Sequence, residues 1–405
     1  MVDPIIVAFL ILSFFVQVIL PLNAWVYVRF TYPRLRRRFR EEPAFPVNLI
    51  VPCKGTNRHL PDNLRAISAQ DYPALTVRFV TDTADDPAVP EIEAVIRETG
   101  RGTPLVAGFD GLTCGKNHAE LVAIAADATS EVHLICDSDL RPAPDFVREM
   151  VRPYLDPSVN VTCSGRRIVP DRPSLGALAY AMAVGFATML LAFRPVTYVW
   201  GGCFSVRRRA FIEWDVRRLW RGTEDDDLVL CNAMNERREK PVFVPTAVSP
   251  SHEAHATVRS LLRWLVRQGQ TARIHYRPVW LLLFLVETSL CLGSLGAAAW
   301  GAFALATGGF SWQIAAAGTS VALIPVGGLL TKAPYLERRD MPLWLWSLLP
   351  VFSHIIVALA FGLAVKPTMR WGDKVLEFNK DGTIRAVGAL RNKGGRRPFF
   401  GRRAS

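Results

Sequence analysis

The chain of 405 residues has no CxxC pair, and its seven cysteines, Cys53, Cys114, Cys136, Cys163, Cys203, Cys231 and Cys291, are odd in number. This excludes a zinc ribbon and a complete disulfide framework, and it fits a reducing compartment. No zinc-finger or helix-turn-helix pattern is present, nor a stripe of basic residues interleaved with aromatics. The net charge of +12 therefore does not indicate a nucleic-acid partner. The GxxxxGK(S/T) spacing of a P-loop is also missing.

Apolar sequence is plentiful: half of the residues are hydrophobic and the mean hydropathy is +0.19, too apolar for an ordinary soluble chain. Residues 4–27 form an almost uninterrupted apolar run, followed by Arg34, Arg36, Arg37, Arg38 and Arg40. About 20 such residues cross a bilayer. A cleaved signal peptide carries its charge before the apolar core, and here the order is reversed. Residues 1–31 thus read as a retained anchor, with the arginines and the central region after them in the cytoplasm. Residues 279–306, 312–330 and 343–365 are each long enough to span, which makes 278–365 a C-terminal transmembrane region. Lys332, Arg338 and Arg339 place the loop between the last two inside. Three crossings would then put the tail, 366–405, outside, although it holds eleven Lys or Arg against three Asp or Glu. Either the tail is translocated despite its charge or the segment around Pro350 is a hairpin. Basic residues beside membrane segments meet anionic lipid, which accounts for much of the charge.

Between them, residues 46–275 alternate short strands with helical patterns, as an α/β domain does. Residues 47–52, VNLIVP, predict a first strand, followed by Cys53-Lys54-Gly55 and a helix with Leu60, Leu64 and Ile67 on one face. A second strand, 75–80, ends at Thr81-Asp82 before the turn Ala84-Asp85-Asp86-Pro87. Strand, acid and turn in that order suit a base or ribose held by Asp82 or Asp85, and equally suit an exposed Asp-rich turn. In residues 112–118, LTCGKNH, Gly115 lets the backbone turn and Lys116 has the reach of a phosphate ligand, or of a plain surface lysine. A helix over 119–126 leads to VHLICDSDL, residues 132–140, a buried strand that ends in Asp137 and Asp139. Ligands bind outside the strand carboxyl ends in such sheets. Paired hard oxygens there suit Mg²⁺ or Mn²⁺ carrying a diphosphate, the alternative being a solvated acidic turn.

Residues 175–193 form another apolar run. A single crossing by this run would separate Glu224-Asp225-Asp226-Asp227 from Asp137 and Asp139, so it is expected to lie in the interface or in a core. Trp200-Gly201-Gly202-Cys203 is a tight turn that permits close backbone approach to a ligand. Gly222-Thr223-Glu224-Asp225 opens a helix, where acids complement the macrodipole; four in a row exceed that need, and one is positioned to act as general base. Arg263-Trp264 lies on a basic amphipathic stretch, 258–275, where Arg263 could neutralise a diphosphate and Trp264 pack on sugar or acceptor. His252 and His255 read as loop histidines.

These motifs, taken in order, resemble the membrane-bound family 2-type glycosyltransferases with a GT-A domain, and most closely the ceramide glucosyltransferase group (family 21). Pro52-Cys53-Lys54-Gly55, Asn63-Leu64 and Asp71-Tyr72-Pro73 are similar to its P-x-K-G, N-L and D-Y-P segments. Asp85-Asp86-Pro87-Ala88, Cys136-Asp137-Ser138, Glu224-Asp225 and Arg263-Trp264 resemble its D-D-P-A, C-D-S, E-D and R-W motifs, and Arg370-Trp371-Gly372 through Asp381-Gly382 its tail. The resemblance implies an inverting transfer of a hexose from a UDP-sugar, UDP-glucose above all, to the hydroxyl of a membrane lipid such as ceramide. It assigns Asp82 or Asp85, with Asp137, to the donor, Asp225 to the base, and Arg263 and Trp264 to catalysis; the residues themselves add Lys54 and Lys116 for the donor and the pair Asp137 and Asp139 for Mn²⁺ or Mg²⁺. Hopanoid or diacylglycerol transfer from UDP-GlcNAc is the alternative, and a processive polysaccharide synthase is disfavoured by the incomplete Q-x-x-R-W signature. The chain departs from the group at Ser260, where Gln or Arg is usual, and at Asp139, where the animal enzymes resemble one another in having Gly.

Overall fold

The computed structural model describes residues 4–402 other than 40, 114, 173, 194–197, 254–256, 309–317, 320, 321, 323–353, 367, 372, 373 and 390–398. Most of the expected span at 312–330 and the first half of that at 343–365, with His255 and Cys114, lie outside the described residues. The chain divides into two compact units: Met1–Pro33, Arg167–Pro195 and Glu253–Val365 in the first, Arg34–Arg166, Val196–His252 and Lys366–Ser405 in the second.

In the first unit, α1 (Pro4–Phe14), α2 (Leu20–Val26) and α3 (Tyr32–Arg38), which runs on into the second unit, are joined by π-helical stretches at Phe15–Ile19 and Tyr27–Thr31. Together they make the one helix among the described residues, Val7–Arg38, that is long and apolar enough by composition to cross a membrane. The apolar run after Ser174 forms a helix that we number α8 (Leu175–Leu190), capped by the Ser174 hydroxyl accepting from Ala177 N–H at 3.1 Å. It packs with α12 (Val258–His275) and α14 (His354–Leu363) around Leu178, Met182, Leu261, Leu265 and Ala360. Gly176 permits this packing, because a Cβ there would press on the backbone of Thr257 and Val258. A hydrogen-bonded chain crosses the unit: Gln17 meets His354 Nε2 at 2.8 Å, and His354 Nδ1 meets Glu287 of α13 (Arg277–Thr307) at 2.5 Å, all three side chains buried. Pairing is what permits such groups among apolar helices.

The second unit is a seven-stranded sheet in the order β3-β2-β1-β4-β7-β5-β8. β1 (Val47–Cys53), β2 (Leu75–Thr81), β3 (Thr103–Val106) and β4 (Val132–Cys136) are mutually parallel, while β7 (Cys203–Arg207) runs antiparallel between β4 and β5 (Val161–Cys163), with β8 (Val242–Phe243) beside β5. The strands β6 (Arg166–Pro170) and β9 (Ser249–Glu253) lie outside this sheet. β1 and β4 are nearly all apolar because helices cover both faces. α4 (Leu60–Ser68) buries Leu60, Leu64 and Ile67, as its spacing predicts, and has Pro61 in its first turn. α5 (Val89–Thr99) stops at Gly100, whose φ of +66° is the left-handed cap. α6 (Gly115–Ala125), α7 (Phe146–Val151), α9 (Arg208–Glu213), α10 (Val216–Trp220) and α11 (Asp227–Glu236) complete the layers. From β1 the chain winds outward through β2 and β3, then returns to place β4 on the other side of β1. Their carboxyl ends thus form a topological switch point, where open sheets bind ligands.

The tail, expected as a basic extension, folds into this unit as an antiparallel sheet of β10 (Thr368–Trp371), β11 (Lys374–Phe378), β12 (Ile384–Ala389) and β13 (Phe399–Arg402). Met369, Leu376 and Val387 pair across β10, β11 and β12 in one buried row. On the other face Arg385 pairs with Glu377 at 2.8 Å.

Candidate active site

The carboxyl ends of β1, β2 and β4 deliver Lys54, Asp82 and Asp137 to one edge of the sheet. Lys54 Nζ lies 3.1 Å from Asp82 Oδ2. Asp82 also abuts Gly115 at the start of α6, where a Cβ would sit 2.8 Å from its Oδ1. Asp85, the other acid expected to face the nucleoside, is exposed in the turn. Its neighbour Asp86 is structural: Oδ1 accepts from Gly55 N–H at 2.8 Å and Ala88 N–H at 2.9 Å, tying the β1 loop to the start of α5.

Lys116 is the hub. Its Nζ donates to the Gly201 carbonyl at 2.6 Å and lies 3.2 Å from Asp137 Oδ1, 3.0 Å from Asp226 Oδ2 and 3.8 Å from Glu120 Oε1. Burial opposes its charge, but the carboxylates of Asp137, Asp226 and Glu120 outweigh that and hold its pKa well above the usual lysine value. Glu120 is fully buried one turn along α6; burial and the nearby Asp226 charge push its pKa well above the usual range. The glycine turn ahead of β7 makes this crowding possible. A Cβ on Gly201 would lie 2.6 Å from Asp226 Oδ1, and one on Gly202 would lie 2.8 Å from Asp137 Oδ2 and overlap the Trp200 ring.

The acidic run distributes its members. Asp225 Oδ1 accepts from Leu228 N–H at 2.6 Å and Val229 N–H at 3.3 Å, so it caps α11. Asp226 faces Lys116, and Asp227 Oδ2 accepts from Gly201 N–H at 2.6 Å. Burial, then the charges of Asp226 and Glu224, raise the Asp225 pKa to about 8. Burial, with Asp225 and Asp226, raises that of Asp227 well above the usual value.

Asp139, two residues past Asp137, pairs through Oδ2 with Arg166 at 2.8 Å and with the Ser251 hydroxyl at 3.3 Å, while Arg166 lies over the Trp200 ring. Asp139 Oδ1 is buried without a hydrogen-bond partner. Hard carboxylates from Asp137 and Asp139, one with an orphaned oxygen, fit a divalent cation.

Arg263 and Trp264 belong to the first unit. Trp264 packs edge-on against Tyr180, ring centroids 5.1 Å apart, and Arg263 is exposed. The departure at Ser260 has a local cause: its hydroxyl accepts from Thr257 N–H at 2.8 Å while Thr257 Oγ1 accepts from Ser260 N–H at 3.1 Å, a capping box that starts α12. Sequence reasoning did not single out Glu120, Arg166 or the particular role of Asp226. Glu120 was findable as the residue four after Lys116 on a predicted helix, the spacing at which charges meet.

A parallel-dominated α/β sheet with paired carboxylates at its switch point fits a GT-A glycosyltransferase. The chain belongs to glycosyl transferase family 21, whose model matches residues 16–384. It is therefore a glycosyltransferase that uses a nucleotide-sugar donor. A search of the curated proteins finds no match. Among solved structures it is similar to the mannosyltransferase PcManGT from Pyrobaculum calidifontis in complex with GDP-Man and Mn²⁺, at 18% identity and a TM-score of 0.46, over 89% of this chain and 100% of that one. It is also similar to S. aureus TarS 1–349, at 14% identity and a TM-score of 0.31, over 88% and 98%. Glucosyl-3-phosphoglycerate synthase from Mycobacterium tuberculosis aligns at 15% identity and a TM-score of 0.33, over 57% and 79%.

Proposed function

We propose that the protein transfers a hexose, glucose from UDP-glucose first, to the hydroxyl of a membrane lipid such as ceramide, with inversion at the anomeric carbon. The observation that supports this reading is the convergence of Lys116, Asp137 and Asp226 within 3.2 Å contacts at the switch point of the sheet. In the reaction, Lys54 and Asp82 hold the nucleoside end of the donor and Lys116 turns to the diphosphate as a point charge. Asp137 and Asp139 would hold Mg²⁺ or Mn²⁺, which when bound neutralises the charge that develops on the leaving UDP. Asp225 takes the proton of the acceptor hydroxyl, whose oxygen attacks the anomeric carbon as the bond to the diphosphate breaks on the opposite face. The anchor, α8 and the C-terminal helices keep the enzyme at the membrane, where the acceptor resides.

The test is lipid labelling by detergent-purified protein with Mn²⁺ or Mg²⁺, offered UDP-glucose, UDP-GlcNAc and UDP-galactose against ceramide, diacylglycerol and hopanoid. The expected result is labelled glycosylceramide from UDP-glucose, lost by at least 100-fold in Asp225→Asn. Label in polymer, or in another lipid alone, contradicts the acceptor, and full labelling by Asp225→Asn contradicts the base.

A further inference from the structure

We infer that the C-terminal sheet is a positioning element of the active site, holding the loop from which the acidic run departs; this rests on the proposed glycosyl transfer. The contact is a backbone one. Ile384 opens β12, and its N–H donates to the Gly222 carbonyl at 2.7 Å, while the strand pairing of Ile384 is with Phe378 of β11. Gly222 has a φ of +76° and lies two residues ahead of Glu224-Asp225-Asp226-Asp227.

The same glycine is gripped from its other side. Its N–H donates to Thr113 Oγ1 at 3.2 Å, and the Thr113 hydroxyl donates to Asp110 Oδ2 at 2.5 Å. Thr223 Oγ1 accepts from Asn117 Nδ2 at 3.2 Å, and Asn117 is the residue after Lys116. The tail makes a second contact in this region: Lys374 Nζ lies 4.0 Å from the centroid of Phe109, one residue before Asp110. Gly222 is thus fixed by the tail through its carbonyl and by the Asp110–Thr113 turn through its amide. The chain leaving Gly222 must set Asp225 on the end of α11 and Asp226 on Lys116, and its starting point is set by this pair of bonds. Misplacement of reacting groups by about 1 Å costs on the order of 100-fold in rate.

Ile384→Pro removes the N–H at the first residue of a strand, a position proline tolerates, and spares the bonding between β11 and β12. Ile384→Ala keeps the N–H and loses the buried side chain, and Thr113→Val removes the acceptor on the other side of Gly222. Each full-length variant is compared with wild type for kcat and donor KM, and for hydrogen exchange of residues 219–227. Ile384→Pro and Thr113→Val are expected to speed exchange there and lower kcat at least tenfold, with donor KM within threefold. Ile384→Ala is expected to keep kcat within threefold and slow exchange, whatever its melting temperature. Unchanged exchange and kcat in Ile384→Pro overturn the inference, as does an equal loss in Ile384→Ala. Wild type without turnover on any donor overturns the functional reading instead, and the exchange comparison then still decides whether the tail holds the loop.

Discussion

Asp225 accepts two backbone N–H bonds at the start of α11, which favour its charged form, and yet burial and the charges of Asp226 and Glu224 raise its pKa to about 8. An unfolded aspartate titrates near 3.9. Between these values the folded chain binds the extra proton, so this group's contribution to stability is complete below the unfolded pKa and is lost as pH rises through about 8. Asparagine caps a helix as well as aspartate does, and it carries no charge. Asp225→Asn is therefore expected to melt above wild type at pH 8, with the difference shrinking toward pH 5, while activity is lost. In wild type, kcat/KM is expected to rise tenfold per pH unit up to a plateau above about pH 8. A flat profile between pH 6 and 8, or a variant less stable at pH 8 than wild type, contradicts this account of the carboxyl.

At the scale of elements, the glycine turn before β7 is the most constrained piece of the site. Gly202→Ala drives a methyl toward Asp137 Oδ2 and the Trp200 ring, and is expected to weaken donor binding at least tenfold in KM. Gly185→Ala, in the middle of α8 with nothing within 4 Å, is expected to leave KM unchanged and to stabilise the fold by about 0.5–1 kcal/mol. Equal donor KM in the two variants would contradict the crowding. Much of this was legible in the sequence, for identifiable reasons. β1, β2 and β4 are short apolar runs ending in a lysine or an acid, and a strand's end fixes where its next side chain goes, so Lys54, Asp82 and Asp137 could be placed. The division of labour within Glu224-Asp225-Asp226-Asp227 could not be. It depends on the residue at which α11 begins, and a one-residue change of phase turns a cap into a ligand. Ser260 read as a damaged motif because a capping box is visible only once the helix start at Thr257 is known. The choice between Asp82 and Asp85 turns on where β2 ends: Asp82 is next to the strand and meets Lys54, and Asp85 is exposed in the turn.

For the whole molecule, the tail bears on a question that hydropathy leaves open. Its sheet is part of the unit that holds β1, β2 and β4, and we propose that tail and catalytic domain both face the cytoplasm. A fluorescent protein fused behind Ser405 is expected to fluoresce in the cytoplasm of a bacterial host, and alkaline phosphatase at the same place to be inactive; active phosphatase contradicts this topology. The central claim, that the switch point of the sheet is a nucleotide-sugar site completed by a divalent cation, is tested most directly by calorimetric titration of the detergent-purified chain with UDP, with and without Mn²⁺. Binding is expected to tighten at least tenfold with Mn²⁺ in wild type and to lose that gain in Asp137→Asn. Binding indifferent to Mn²⁺, or an Asp137→Asn variant that keeps the gain, would contradict it.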